Sequence, residues 1–176
     1  MKPYITDAFK DGKFVLKFQC EGKSYEQIQE TLQGTQVTAY AMPDTHSFQS
    51  AWLFQLFFSN GCVVEFSSSC TEVGGWQEVG SLNLRFDQEL TLDQAQDATL
   101  CVKTGVEKFY VKSIDRLIYE DADVYAECGI VFSDSSGREI LVAAGPAPGS
   151  VSVQAPFSTG EFQPEFAMTK YKRVSI

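Results

Sequence analysis

The densest run of chemistry-capable side chains is Glu120, Asp121 and Asp123, with Glu127 close behind. Paired carboxylates can divide acid and base roles when burial separates their pKa values. Here the run lies in or beside a loop, where water keeps the acids alike. Presentation of negative charge to a basic partner is the better functional reading, beside the plainer one of a solvated face. Trp76 stands between Gly75 and Gln77 in a glycine-rich loop. A tryptophan placed so can anchor a partner, since Trp is favoured at interface hot spots, or fold back over a sheet edge.

The remaining reactive residues offer less. His46 is the one histidine of the chain, so any metal site of His/Cys type or any Ser-His or Cys-His mechanism would have to use it. It sits in the polar loop PDTHSFQS with Asp44 two residues before it, which reads as a surface loop residue. No spacing of glycines makes a phosphate cradle. Asp134-Ser135-Ser136-Gly137 lacks the acidic spacing and closing Glu of a calcium loop, and its flanking strands predict a hairpin. No catalytic group, metal or cofactor is assigned.

The five cysteines, Cys20, Cys62, Cys70, Cys101 and Cys128, are odd in number and never spaced as C-x-x-C. They read as reduced and mostly buried thiols. No stretch has the length of a signal peptide's apolar region or of a membrane span. Together these predict a cytoplasmic protein without a membrane role. The net charge of −9 repels phosphate, so nucleic acid is not an expected partner. The basic residues gather at Lys170, Lys172 and Arg173, read as one face of a last strand.

The elements that must position these residues are mostly strands. Fourteen Phe and an aromatic fraction of 13% favour a β-rich core. FVLKF, from Phe14, alternates with period two. The following GKSYEQIQETLQG predicts a short helix: Ser24 and Gln27 form a capping box, Tyr25, Ile28 and Leu32 share a face, and Gly34 ends it. QVTAYAM is a strand ending at Pro43. AWLFQLFF and CVVEF are strands joined at Ser59-Asn60-Gly61, with Trp52 expected in the core. SSSCTEVGGWQEVGS is read as a loop, and SLNLRF as a strand.

The order then restarts. DQAQDATL, Asp93 to Leu100, resembles EQIQETL in pattern and suggests a second short helix. A turn at Thr104-Gly105 leads to the strand KFYVKS, then the loop SIDRLIYEDADVY, the strands CGIVF and REILV, the loop GPAPGS and the strand VSVQAPF. The segments Val37–Phe58 and Val111–Phe132 align at one offset without a gap. The expected fold class is therefore mainly β, with α+β as the alternative: antiparallel sheets with one or two short helices, built from two internally repeated halves. Repeat 1 covers approximately 13–80, repeat 2 approximately 81–157, and a C-terminal strand lies within 158–176, all in a single domain. Each unit alone would approach the lower size limit for a stable core, so the two should bury their apolar faces together.

Acidity, small size and missing catalytic constellations point to a non-enzymatic binding protein, immunity- or inhibitor-like, that presents an acidic loop surface to a basic protein. A pocket between sheets for a small apolar or aromatic ligand is the alternative. An enzyme using carboxylates alone ranks below both.

Overall fold

The structure is a computed structural model describing residues 7–75, 77–87 and 100–176. The described elements are β1 (Asp7–Lys10), β2 (Lys13–Leu16), α1 (Tyr25–Leu32), β3 (Gln36–Pro43), β4 (Phe54–Phe58), β5 (Val63–Glu72) and β6 (Glu78–Asp87). They continue with β7 (Leu100–Tyr110), β8 (Ser113–Glu120), β9 (Val124–Ser133), β10 (Glu139–Ala144) and β11 (Val151–Gln154). A 3₁₀ turn, Met168–Lys170, leads into β12 (Tyr171–Ser175). The mainly-β, antiparallel expectation holds. No helix among the described residues is long and apolar enough to cross a membrane.

One sheet has the order β6-β5-β4-β3-β7, antiparallel throughout. The other is centred on β9. One edge of β9 carries β8, with β12 beyond it; the other edge is shared by β10, with β11 beyond, and by β2, with β1 beyond. The β2–β9 pair is parallel. Inner faces of both sheets join in one apolar cluster: Phe54, Leu56, Phe58, Phe66 and Leu84 from the first, Ile114, Ile130, Phe132, Ile140 and Val142 from the second. The period of two along β4 and β9 places these residues on one face.

Local signals carry through where expected. Ser24 accepts from the Gln27 N–H while the Gln27 side chain accepts from the Ser24 N–H, closing the capping box. Ile28 and Leu32 are fully buried, and Gly34 adopts φ +80° at the stop. At the β4–β5 turn, Asn60 Oδ1 accepts from the Cys62 N–H at 3.1 Å and Gly61 takes φ +82°. The Ser133–Gly137 segment is a hairpin turn, with Asp134 bonding the Ser136 and Arg138 N–H groups. The final strand is β12.

Four expectations are corrected. Ser67–Glu72 is strand, not loop. Its hydroxyls are satisfied across strands: Ser69 donates to Asn83 at 3.1 Å, and Ser68 donates to the Ser150 carbonyl at 2.7 Å. SIDRLIYE is also strand, β8. A register shift between Leu117 and Ile118 puts adjacent apolar residues into burial and breaks the period of two. Thr104-Gly105 lies within β7, opposite an irregularity between Val37 and Ala39, and is not a terminal turn. Trp52 is 67% exposed, while Ala51 is fully buried. The backbone of Ala51 exchanges two hydrogen bonds with Val151, and that pairing turns the next side chain outward. The second predicted helix, up to Thr99, lies outside the described residues.

Two four-stranded antiparallel meanders, β3–β6 and β8–β11, lie on either side of β7 in the chain. Their pairings differ. Val37 faces Phe58, whereas Phe132 faces Ile114, and Val111 donates instead to the Thr35 carbonyl. The gap-free alignment does not carry into the pairing, and a duplication, proposed from the sequence, would require a shift of register in one copy.

Candidate functional site

Asp121, Ala122 and Asp123 form the tight turn between β8 and β9. Asp121 organises it: Oδ1 accepts from the N–H groups of Asp123 (2.8 Å) and Val124 (2.9 Å), and Oδ2 accepts from the Tyr119 hydroxyl at 2.9 Å. Burial pushes its pKa up, but the Asp123 N–H, the Tyr119 hydroxyl and the Val124 N–H outweigh this and leave it below the usual range. Glu120 is held between Lys13 (3.2 Å) and Lys172 (3.1 Å), which hold it ionised below the ordinary carboxylate range. Asp123 is exposed. Of the three neighbouring acids, one shapes the turn, one is neutralised by lysines and one faces solvent.

Glu127 does not belong to this surface. It has no exposed area, which corrects the expectation of a rim residue. Oε1 accepts from Arg116 Nη1 at 2.7 Å and from the Tyr125 hydroxyl at 3.3 Å. Oε2 accepts from the Phe18 N–H at 2.8 Å and the Tyr25 hydroxyl at 2.6 Å. The Arg116 guanidinium lies 4.4 Å from the centre of the Tyr25 ring. Burial, then the neighbouring carboxylate, pushes the Tyr25 hydroxyl's pKa up. Four donors saturate the oxygens of Glu127, so no lone pair is left for a substrate. The cluster instead ties the end of the β2 segment and the start of α1 to β8 and β9.

The ends of two hairpins meet beside the acidic turn. Val73 and Val79, flanking the β5–β6 turn, share an apolar cluster with Tyr119 and Val124. Glu72 and Glu78 are direct cross-strand partners, both exposed. The Phe14 N–H donates to the Asp123 carbonyl at 2.8 Å, which brings in the Asp11-Gly12 turn at the start of β2. One end of the molecule thereby collects Glu72, Glu78, Asp121 and Asp123. Trp76, the other sequence-predicted contact, lies outside the described residues. Glu72 and Glu78 are hidden in the sequence because SSSCTE reads as loop; acids on both sides of VGGWQ are the available signal.

Other reactive groups have local roles. His46 Nδ1 accepts from the Trp52 N–H at 3.3 Å. Cys20, Cys62 and Cys128 are buried free thiols and Cys70 is an exposed one. Burial, then the Glu127 charge, pushes Cys20 up to about 12. Burial, then the hydrogen bond to Glu78, pushes Cys70 up to about 11. Both act against thiolate chemistry near neutrality. Among the described residues no group of three or more His, Cys, Asp or Glu side chains could hold a metal ion.

Aromatic rings occupy the space between the sheets. Tyr40 stacks on Phe157 at 4.6 Å, and Phe132 contacts both Phe58 (6.1 Å) and Phe66 (6.3 Å) edge-on. The chain matches no protein-family model, no curated protein and no solved structure.

Proposed function

We propose that this is a non-enzymatic binding protein whose acidic end engages a basic protein partner, in the manner of an immunity or inhibitor protein. One observation carries the reading: packing of Val73 and Val79 with Tyr119 and Val124 brings the acids of two separate hairpins to one end. Glu72 and Glu78 stand directly opposite one another. Like charges so placed weaken a hairpin by some tenths of a kcal/mol. A partner's Lys or Arg would relieve that repulsion on binding. The net charge of −9 adds long-range attraction for a basic protein. Engagement of Glu120, Asp121 and Glu127 by neighbours argues against carboxylate catalysis there, and the ring packing between the sheets argues against a ligand pocket. The proposed compartment is the cytoplasm, with the free thiols of Cys20, Cys62, Cys70 and Cys128 in support.

Affinity capture from the source organism's lysate tests this, at about 50 mM and about 300 mM salt, where screening lengths differ roughly twofold. Wild-type protein should retain a basic protein at low salt and release most of it at high salt. The variant Glu72→Gln/Glu78→Gln/Asp123→Asn should retain little at either. Its stability should stay within about 0.5 kcal/mol of wild type, since these side chains are exposed. Asp121 is left intact because it holds the turn. Equal capture by the variant would move the binding surface elsewhere, and absence of any salt-sensitive partner would remove the reading.

A further inference from the structure

Residues 155–170 cross the molecule without joining a sheet and are fastened at isolated points. The Gln163 N–H donates to the Ser152 hydroxyl at 2.9 Å, and Gln49 Nε2 donates to the Thr159 carbonyl at 2.8 Å. Phe162 covers the outer face of the β9 sheet, over Leu117, Val131, Leu141 and Ala143. The Phe166 ring lies flat on Tyr119, centroids 3.8 Å apart, and its N–H donates to the Tyr171 hydroxyl at 3.1 Å. A segment held by few bonds opens at low free-energy cost.

Glu165 is the fastening at the seam between the two sheets. Its N–H donates to the Ala144 carbonyl of β10 at 2.8 Å, and its Oε2 accepts from the Gly80 N–H of β6 at 2.8 Å. The fit is close: a Cβ on Gly80 would lie 2.5 Å from Glu165 Oε2 and 2.7 Å from the Ala144 Cβ. Beside it a cleft of about 130 Å³ is lined by Ser68, Cys70, Glu78 and the 145–149 loop. Glu78 of β6 is the titratable group whose charge acts on Glu165, and Glu165 acts in turn on Cys70 of β5, Cys128 of β9 and Tyr171 of β12. None is a cation. The Cys70 thiol is itself turned toward Glu78, at 3.4 Å.

We propose that residues 155–170 form a pH-dependent strap, closed while Glu165 holds its proton in the niche beside Gly80 and Glu78 and loosened once it ionises. Burial first raises this carboxyl from the ordinary 4.5 to about 7; the Gly80 N–H works against the rise and Glu78 adds to it. In the open strap the carboxyl meets water and returns to its ordinary value. The closed form therefore binds the proton more tightly. Closure is strongest below pH 4.5 and weakens as pH rises through about 7.

Amide hydrogen exchange of residues 158–170 in the full chain tests this from about pH 5.5 to about pH 8, each rate divided by its intrinsic value. The corrected rate should rise roughly thirtyfold across that window. Glu165→Gln keeps an acceptor for the Gly80 N–H without a titrating group, and its rate should stay low and flat. Glu78→Gln removes a charge that raises the Glu165 pKa, and should move the rise to lower pH. A flat wild-type profile, or a rise retained in Glu165→Gln, overturns the strap. Should Glu165→Gln fail to fold, an unmoved midpoint in Glu78→Gln overturns it equally.

Discussion

Glu127→Ala is expected to cost the fold about 3–5 kcal/mol, the range for removing one partner of a buried ion pair. The variant leaves the Arg116 charge, whose side chain is 14% exposed, without its counter-ion. It also strips the acceptor from the Phe18 N–H and from the Tyr25 hydroxyl. Arg116 Nε has no hydrogen-bond partner even in the wild type, so the pair has nothing in reserve. Glu127→Leu combined with Arg116→Met should recover much of the loss, because an apolar pair of similar volume avoids stranding a charge. Urea denaturation of the three proteins measures this. A loss below about 1 kcal/mol in Glu127→Ala would show that water reaches the cluster and that it does not tie α1 to the sheet.

Phe132→Ala is the second large effect, a loss of about 3–5 kcal/mol from transfer and cavity terms together. Phe132 is fully buried on β9 and touches Phe58 and Phe66 of the facing sheet, so truncation opens a void between the sheets. An exposed aromatic provides the contrast. Trp52→Ala, at a residue 67% exposed, should stay within about 0.5 kcal/mol in the same assay. Similar losses in both variants would contradict the assignment of core and surface.

What could be read in the chain before folding was what neighbours in sequence decide. Ser24, Gln27 and Gly34 define α1 through contacts within a few residues, and Asn60-Gly61 defines its turn in the same way. The missed strands depend on distant partners. Ser67 to Glu72 is polar and looks like loop until Ser81, Asn83 and Ser150 supply the other halves of its hydrogen bonds. In β8 the bulge at Leu117 interrupts the alternation by which a strand is recognised. The acidic turn was visible as a cluster, but its division of labour was not. The lysines on Glu120 and the donors on Glu127 come largely from residues more than fifty positions away. In sequence Glu127 reads as a fourth surface charge because neither Phe18 nor Tyr25 is near it.

The acidic end as a steering surface for a basic partner is tested most directly by association kinetics. The captured partner is mixed with wild-type protein and with Glu72→Gln/Glu78→Gln/Asp123→Asn in stopped flow, at low and high salt. The account predicts an association rate roughly three- to tenfold slower for the variant at low salt. It predicts that the difference nearly vanishes at high salt and that dissociation changes little. An association rate equal to wild type at low salt would contradict it.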